Sequence, residues 1–216
     1  MHKPLFSRLV SDDIETEEVD PHSVGGGLQA AEREAIEGAA SSRVEQFTAR
    51  RVCSRLALGR FGVAATTPNV RGVERAPIWP DGFVGSITHT DVWCAAAVGR
   101  KESLRSVGID LEPATPLKEA LWRRVCTPAE RERLRELPNS GLMGKILFSA
   151  KESVYKCQYP LTTQFLGFHA VEVDVGDGEF RAIFKQAAGE FEPGDEMKGK
   201  YLVEGGLVAS ACELRV

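Results

Sequence analysis

An α+β fold made of two similar halves is what this sequence predicts, on three observations. Helical patterning precedes strand patterning twice along the 216 residues. Capping signals open two of the helical stretches. The strand-like runs that follow are short, β-rich and divided in the second half by glycine turns. The two series meet near residue 108, and no segment repeats at a fixed period.

The first two dozen residues are acidic and irregular, with Asp12, Asp13, Glu15, Glu17 and Glu18 before Gly25-Gly26-Gly27. A helical pattern runs from about Leu28 to Glu37. Ser42-x-x-Glu45 is a capping box for a second helix, in which Val44, Phe47, Val52 and Leu56 lead towards Gly59. Residues Gly62 to Pro80, rich in Pro, Gly, Thr and Asn, read as a long ordered loop. The period then changes, and Val84 to His89, Cys94 to Val98 and Val107 to Leu111 read as strands. Thr127-Pro128-Ala129-Glu130 is a second capping box, with proline at the first helical position, and a further helix covers about Ser140 to Cys157. Strands return at His169 to Val175, Glu179 to Phe184, Tyr201 to Glu204 and Leu207 to Leu214. Turns at Gly176-Asp177-Gly178 and Gly205-Gly206 make two hairpins of them.

Composition excludes several classes. A net charge of −4 gives no basic excess with which to neutralise nucleic-acid phosphates. No stretch approaches the ~20 apolar residues of a membrane span. Met1-His2-Lys3-Pro4 runs into acids with no apolar segment, so no secretory leader is expected. Five scattered cysteines without a C-x-x-C suit buried thiols in a reducing cytoplasm, and four dispersed histidines have no zinc-site spacing.

Three constellations carry chemistry. In Gly108-Ile109-Asp110-Leu111-Glu112 the strand period turns Ile109 and Leu111 to the core and Asp110 with Glu112 to the other face. Two carboxylates so placed repel unless a cation lies between them, and hard oxygen ligands favour magnesium; taken alone, the pair also fits an ordinary solvated strand face. In Phe148-Ser149-Ala150-Lys151-Glu152-Ser153-Val154-Tyr155-Lys156, Glu152 and Lys156 share a helix face with Lys151 at its edge. Glu152 could ligate a metal or act as a base, the lysines could hold phosphate, and a surface Glu-Lys pair fits as well. In Gly85-Ser86-Ile87-Thr88-His89-Thr90, His89 ends a strand beside small hydroxyls and could donate to a phosphate or simply be structural. Upstream stand Arg50, Arg51 and Arg55 on the second helix, with Arg71 and Arg75 in the loop.

The order of these pieces, including Phe47-x-x-x-Arg51-x-x-x-Arg55 and Arg75-Ala76-Pro77-x-Trp79-Pro80, resembles the 4′-phosphopantetheinyl transferase superfamily over residues 45 to 160. Within it, the likeness is to the branch of enterobactin synthetase component D. The resemblance implies two α+β halves related by a pseudo-two-fold, with the active site in the cleft between them. Residues 1–108 would bind the coenzyme A nucleotide, and residues 109–216 would carry the metal-binding and catalytic carboxylates. It also implies Asp110, Glu112 and Glu152 as ligands of Mg²⁺, for which Mn²⁺ could substitute. Arg51, Arg55 and Arg75 would surround the 3′-phosphate of coenzyme A, Ser86 and His89 the nucleotide phosphates, and Lys151 and Lys156 the pyrophosphate.

The implied reaction is transfer of 4′-phosphopantetheine from coenzyme A to a serine of an apo acyl, peptidyl or aryl carrier protein. Glu152 is the candidate base and Lys156 an electrostatic catalyst. Siderophore or other secondary metabolism is the branch's habit, and a cytoplasmic monomer is expected. Leu117, Arg123 and Arg124 are candidates for carrier docking. A metal-dependent phosphodiesterase and a non-catalytic nucleotide-binding module are the alternative classes.

Overall fold

The computed structural model describes residues 4–24, 27–70, 72 and 76–216. Its α+β architecture consists of two antiparallel sheets, each covered by one long helix. The first sheet is ordered β1-β3-β2, from Glu15–Val19 (β1), Phe83–His89 (β2) and Cys94–Arg100 (β3). The second runs β4-β8-β7-β6-β5, from Leu104–Pro113 (β4), Val171–Val175 (β5), Glu179–Phe184 (β6), Glu196–Glu204 (β7) and Leu207–Arg215 (β8). Helices α1 (Ala30–Arg33) and α2 (Ser41–Arg60) belong to the first half. Helices α3 (Glu119–Val125), α4 (Pro128–Arg135) and α5 (Ser140–Thr162) belong to the second.

Local chemistry accounts for most of these bounds. Thr127 caps α4 as expected: its hydroxyl accepts from the Glu130 amide at 3.3 Å, and Glu130 accepts from the Thr127 amide at 2.6 Å. The box expected at Ser42 does not form. Helix α2 starts at Ser41 behind Ala40, two residues ahead of the expected cap and with no side-chain cap, and draws its stability from the face it buries. The acidic N-terminal stretch, expected to be irregular, supplies β1, which pairs with β3 along its whole length through backbone groups. Helix α3, a stretch left unassigned by pattern, and the first half of β7 are the other additions.

Beneath α2, Cys53, Ala57 and Leu58 pack on Phe83, Ala96 and Val98. Beneath α5, Ala150, Val154 and Cys157 join Phe180, Ala182, Phe184 and Met197. A third cluster joins the halves: Leu5, Phe6 and Ile14 pack with Ala95 and Ala97 of β3 and with Val107, Ile109 and Leu111 of β4. The seam between the sheets is held by side chains. The Ile109 amide donates to Ser86 Oγ at 3.2 Å, and the Leu111 amide to Thr88 Oγ1 at 3.0 Å. All five cysteines are buried and unbridged, as the composition predicted.

Candidate active site

Alternation along β4 does what the sequence pattern required. Ile109 and Leu111 enter the core, while Asp110, only 4% exposed, lies within reach of α5. Lys156 Nζ donates to Asp110 Oδ1 at 2.7 Å, to the Ile109 carbonyl at 3.1 Å and to Thr88 Oγ1 at 3.3 Å. One ammonium thus gathers β2, β4 and α5 at a single point. Glu112 accepts from Lys145 Nζ at 2.9 Å, and this lysine also lies over the Phe148 ring.

The electrostatics of the cluster are short of positive charge. Burial, and then the charge of Asp110, raise the Glu152 carboxyl above its ordinary range, with Lys156 acting the other way. Glu112 is raised for the same first reason, while its bond to Lys145 opposes the rise. Asp110 Oδ2 is buried with no hydrogen-bond partner. Among the described residues, no three carboxylate, imidazole or thiol groups stand ready-converged on an ion. A buried carboxylate oxygen lacking a donor, flanked by two carboxyls that resist ionisation, is nevertheless chemistry a hard divalent cation would satisfy. The residues present fit such an ion.

His89, at the end of β2, has its imidazole pushed down to about 4 by burial and by the Arg50 and Lys156 cations. It is neutral at pH 7 and offers a phosphate one N–H rather than a positive charge. Ser86 is buried, with its oxygen engaged by the β4 backbone. Arg51 is buried too; it donates to Asn69 and stacks 4.5 Å from the Phe47 ring centroid. Arg71 and Arg75 lie outside the described residues.

Two expected phosphate ligands are placed elsewhere, and these are corrections. Arg55 forms a buried ion pair with Glu32, donating to both carboxylate oxygens at 2.6 Å, and also donates to the Gly27 carbonyl. Glu32 further accepts from the Asn69 and Gln29 amides, each at 2.9 Å, so the pair fastens the loop after α2 to that helix. Removing one partner strands a buried charge. Glu32→Ala should therefore cost about 3–5 kcal/mol in urea unfolding, and a loss below ~1 kcal/mol would show the pair to be dispensable.

Lys151 likewise points away from Asp110. Its ammonium bonds to Glu130 and to two backbone carbonyls. Leu117, a docking candidate, is buried in the core, whereas Arg123 and Arg124 are exposed. Residues not anticipated are Lys145 and the buried acid Glu32, and Glu130, expected only as a cap, is also the partner of Lys151. Lys145 was findable, since it precedes Glu152 by seven residues and so shares its helix face.

Beside Glu152 lies a cavity of about 260 Å³, lined by Lys151, Tyr155, Phe165, Leu166, Phe168 and Val171 among others. Its aromatic walls and the adjacent carboxyl suit an extended group that joins apolar stretches to polar ones.

Comparison with known proteins bears on this geometry. The 4′-phosphopantetheinyl transferase N-terminal domain matches residues 31–99, and the 4′-phosphopantetheinyl transferase superfamily matches residues 106–202. The chain is similar to 4′-phosphopantetheinyl transferase Npt of Nocardia iowensis, with 35% identity covering 96% of this chain and 98% of that protein. It is 36% identical to 4′-phosphopantetheinyl transferase PptT of Mycobacterium tuberculosis over 81% of this chain and 80% of that one. Similarity to enterobactin synthase component D of Escherichia coli is 33% identity over 56% and 57% of the two chains.

Proposed function

We propose that this chain, which belongs to the 4′-phosphopantetheinyl transferase superfamily, moves the phosphopantetheine arm of coenzyme A to a serine of an apo carrier protein and releases 3′,5′-ADP. The observation that carries the reading is the meeting of Asp110 and Lys156 at the seam of the two sheets, with Asp110 Oδ2 still lacking a partner. Cations and an unsatisfied carboxylate side by side suit a site for a metal-bound pyrophosphate.

In this reading residues 1–108 bind the nucleotide, residues 109–216 carry the reacting groups, and the cleft between them is the active site. A magnesium ion held by Asp110, Glu112 and Glu152, or manganese in its place, would neutralise the pyrophosphate charge. The carrier serine oxygen attacks the phosphorus that bears the pantetheine, and the bond from that phosphorus to the bridging oxygen breaks. Glu152 takes the serine proton. Lys156 stabilises charge on the transferring phosphoryl group, and neutral His89 and the Ser86 hydroxyl contact the nucleotide phosphates. In this reading the cavity beside Glu152 receives the pantetheine arm.

A cytoplasmic, monomeric enzyme of siderophore or other secondary metabolism completes the reading. The buried, unbridged cysteines support the compartment, and the likeness to proteins named enterobactin synthase component D supports the pathway class. Incubation with coenzyme A, magnesium and an apo carrier, followed by weighing the carrier, tests it. The carrier should gain the mass of one phosphopantetheine; an unchanged mass with acyl, peptidyl and aryl carriers alike would overturn the proposal.

Arg51 and Arg75 are assigned to the 3′-phosphate. A charge-assisted bond of about 1.5–3 kcal/mol makes Arg51→Ala roughly ten- to a hundredfold poorer with coenzyme A. With dephospho-coenzyme A, which lacks that phosphate, the variant should match the unmodified chain. Equal losses with both substrates would make Arg51 structural.

A further inference from the structure

Lys151 and Glu130 make no hydrogen bond to Asp110, yet they form the most deeply buried ion pair of the second half. Their side chains are 2% and 0% exposed. A lysine ammonium has three donors, and here each has an acceptor: Glu130 Oε2 at 2.7 Å, the Phe168 carbonyl at 2.7 Å and the Val125 carbonyl at 3.0 Å. Glu130 is equally occupied. Its Oε1 accepts from the Val173 amide at 2.7 Å, and its Oε2 also accepts from the Thr127 amide at 2.6 Å. The end of α3, the cap of α4, the turn before β5 and β5 itself are therefore tied to one point on α5. That point is next in sequence to Glu152, and Lys151 and Phe168 both line the cavity beside it.

We infer that Lys151 and Glu130 are a buried positioning pair that fixes the rotation of α5, so that Glu152 is presented to the reacting atoms and Phe168 closes the cavity behind them. The inference rests on the transferase reading for what Glu152 does. Lys151 itself touches no phosphate. Desolvation makes such a pair a weak source of stability, and its value lies in allowing only one setting of the helix. An α5 turned by a small angle would carry Glu152 away from the serine, and displacement by 1 Å is enough to cost about a hundredfold in rate.

The test compares Lys151→Met, Glu130→Gln and the double variant. It uses coenzyme A affinity by calorimetry, and kcat for carrier modification at least about ten degrees below each variant's own melting point, so that every chain is assayed folded. We expect kcat to fall about ten- to a hundredfold in each single variant, and the double variant to be no worse than the poorer single. Coenzyme A affinity should stay within about twofold of wild type, because no phosphate contact is lost. Glu130→Gln keeps the side-chain volume and leaves the helix surface untouched, so it serves if Lys151→Met does not fold.

Weakening of coenzyme A binding by about tenfold or more in Lys151→Met alone would make Lys151 a phosphate ligand and overturn the inference. Lower melting points with unchanged kcat would make the pair merely structural and overturn it too. If the wild-type chain transfers nothing, the transferase reading fails instead. Amide exchange over residues 150–156 then decides: faster exchange in both variants supports the pair as the helix anchor, and wild-type rates refute it.

Discussion

Asp110→Ala and Glu152→Ala should each lower phosphopantetheine transfer by at least about 10²–10³-fold while leaving circular dichroism and the melting point close to wild type. The size follows from charge. Pyrophosphate and carboxylates crowd a buried space, and removing one ligand of the neutralising cation leaves negative charge uncompensated where the dielectric is low. The fold should survive Asp110→Ala, because Lys156, left without its partner, is partly exposed and can be hydrated. Asp110→Asn keeps the shape and Thr88 contact, and should be nearly as inactive as the alanine variant. Glu112→Ala should be milder, about tenfold or less, since Lys145 already holds that carboxylate at the edge of the cluster. Near-normal carrier modification by either principal variant, with a normal spectrum, would remove the carboxylates from the mechanism.

How much of this was legible in the sequence depends on how local each feature is. The strand period put Asp110 beside the site and Ile109 in the core, because alternation needs only neighbouring residues. The capping box at Thr127 was readable for the same reason. Ser42 shows the limit: a correct motif loses when the helix is capped two residues earlier, at Ala40. Strand β1 was hidden because Glu15-Thr16-Glu17-Glu18 has the composition of a solvated tail. Its pairing uses backbone groups, which side-chain patterns do not report, and Glu18 accepts from the Leu5 and Phe6 amides at 2.6 and 2.9 Å.

The two misplaced cations fail for different reasons. Lys151 and Lys156 are five residues apart, about 140° around a helix, so they could not share one face. The helical period sets Lys151 off from Lys156, and three bonds, to Glu130 and to the Val125 and Phe168 carbonyls, hold Lys151 away from the grouping that the resemblance implied. Arg51 and Arg55 do share a face, and nothing near them in the chain announces that Glu32 returns to capture Arg55. That partner lies 23 residues away and becomes visible only in the fold.

Gly108→Ala should be the most damaging single methyl in the chain. Strand β4 and helix α5 are in close contact here. A Cβ on Gly108 would run into the Ser153 carbonyl oxygen and come within 2.6 Å of the Cys157 amide nitrogen and 2.9 Å of its Cβ. All three obstacles belong to α5, and two of them are backbone, which cannot rotate aside as a side chain can. The helix must therefore move off the strand. Overpacking of this kind costs about 1–3 kcal/mol, or more where the backbone has to shift. The functional loss should exceed the stability loss. Asp110 lies two residues along β4, and Glu152 and Lys156 flank the obstructed turn of α5, so the wedge opens the contact that brings them together.

A shift of about 1 Å predicts a hundredfold or greater fall in transfer. The natural control is Leu58→Ala, which leaves a cavity under α2, costs about 2–5 kcal/mol and leaves the seam between β4 and α5 untouched. With both variants assayed well below their melting points, Leu58→Ala should stay active and Gly108→Ala should not. Equal activity in the two at matched stability would mean that the close approach of β4 and α5 is packing alone and does not set the site.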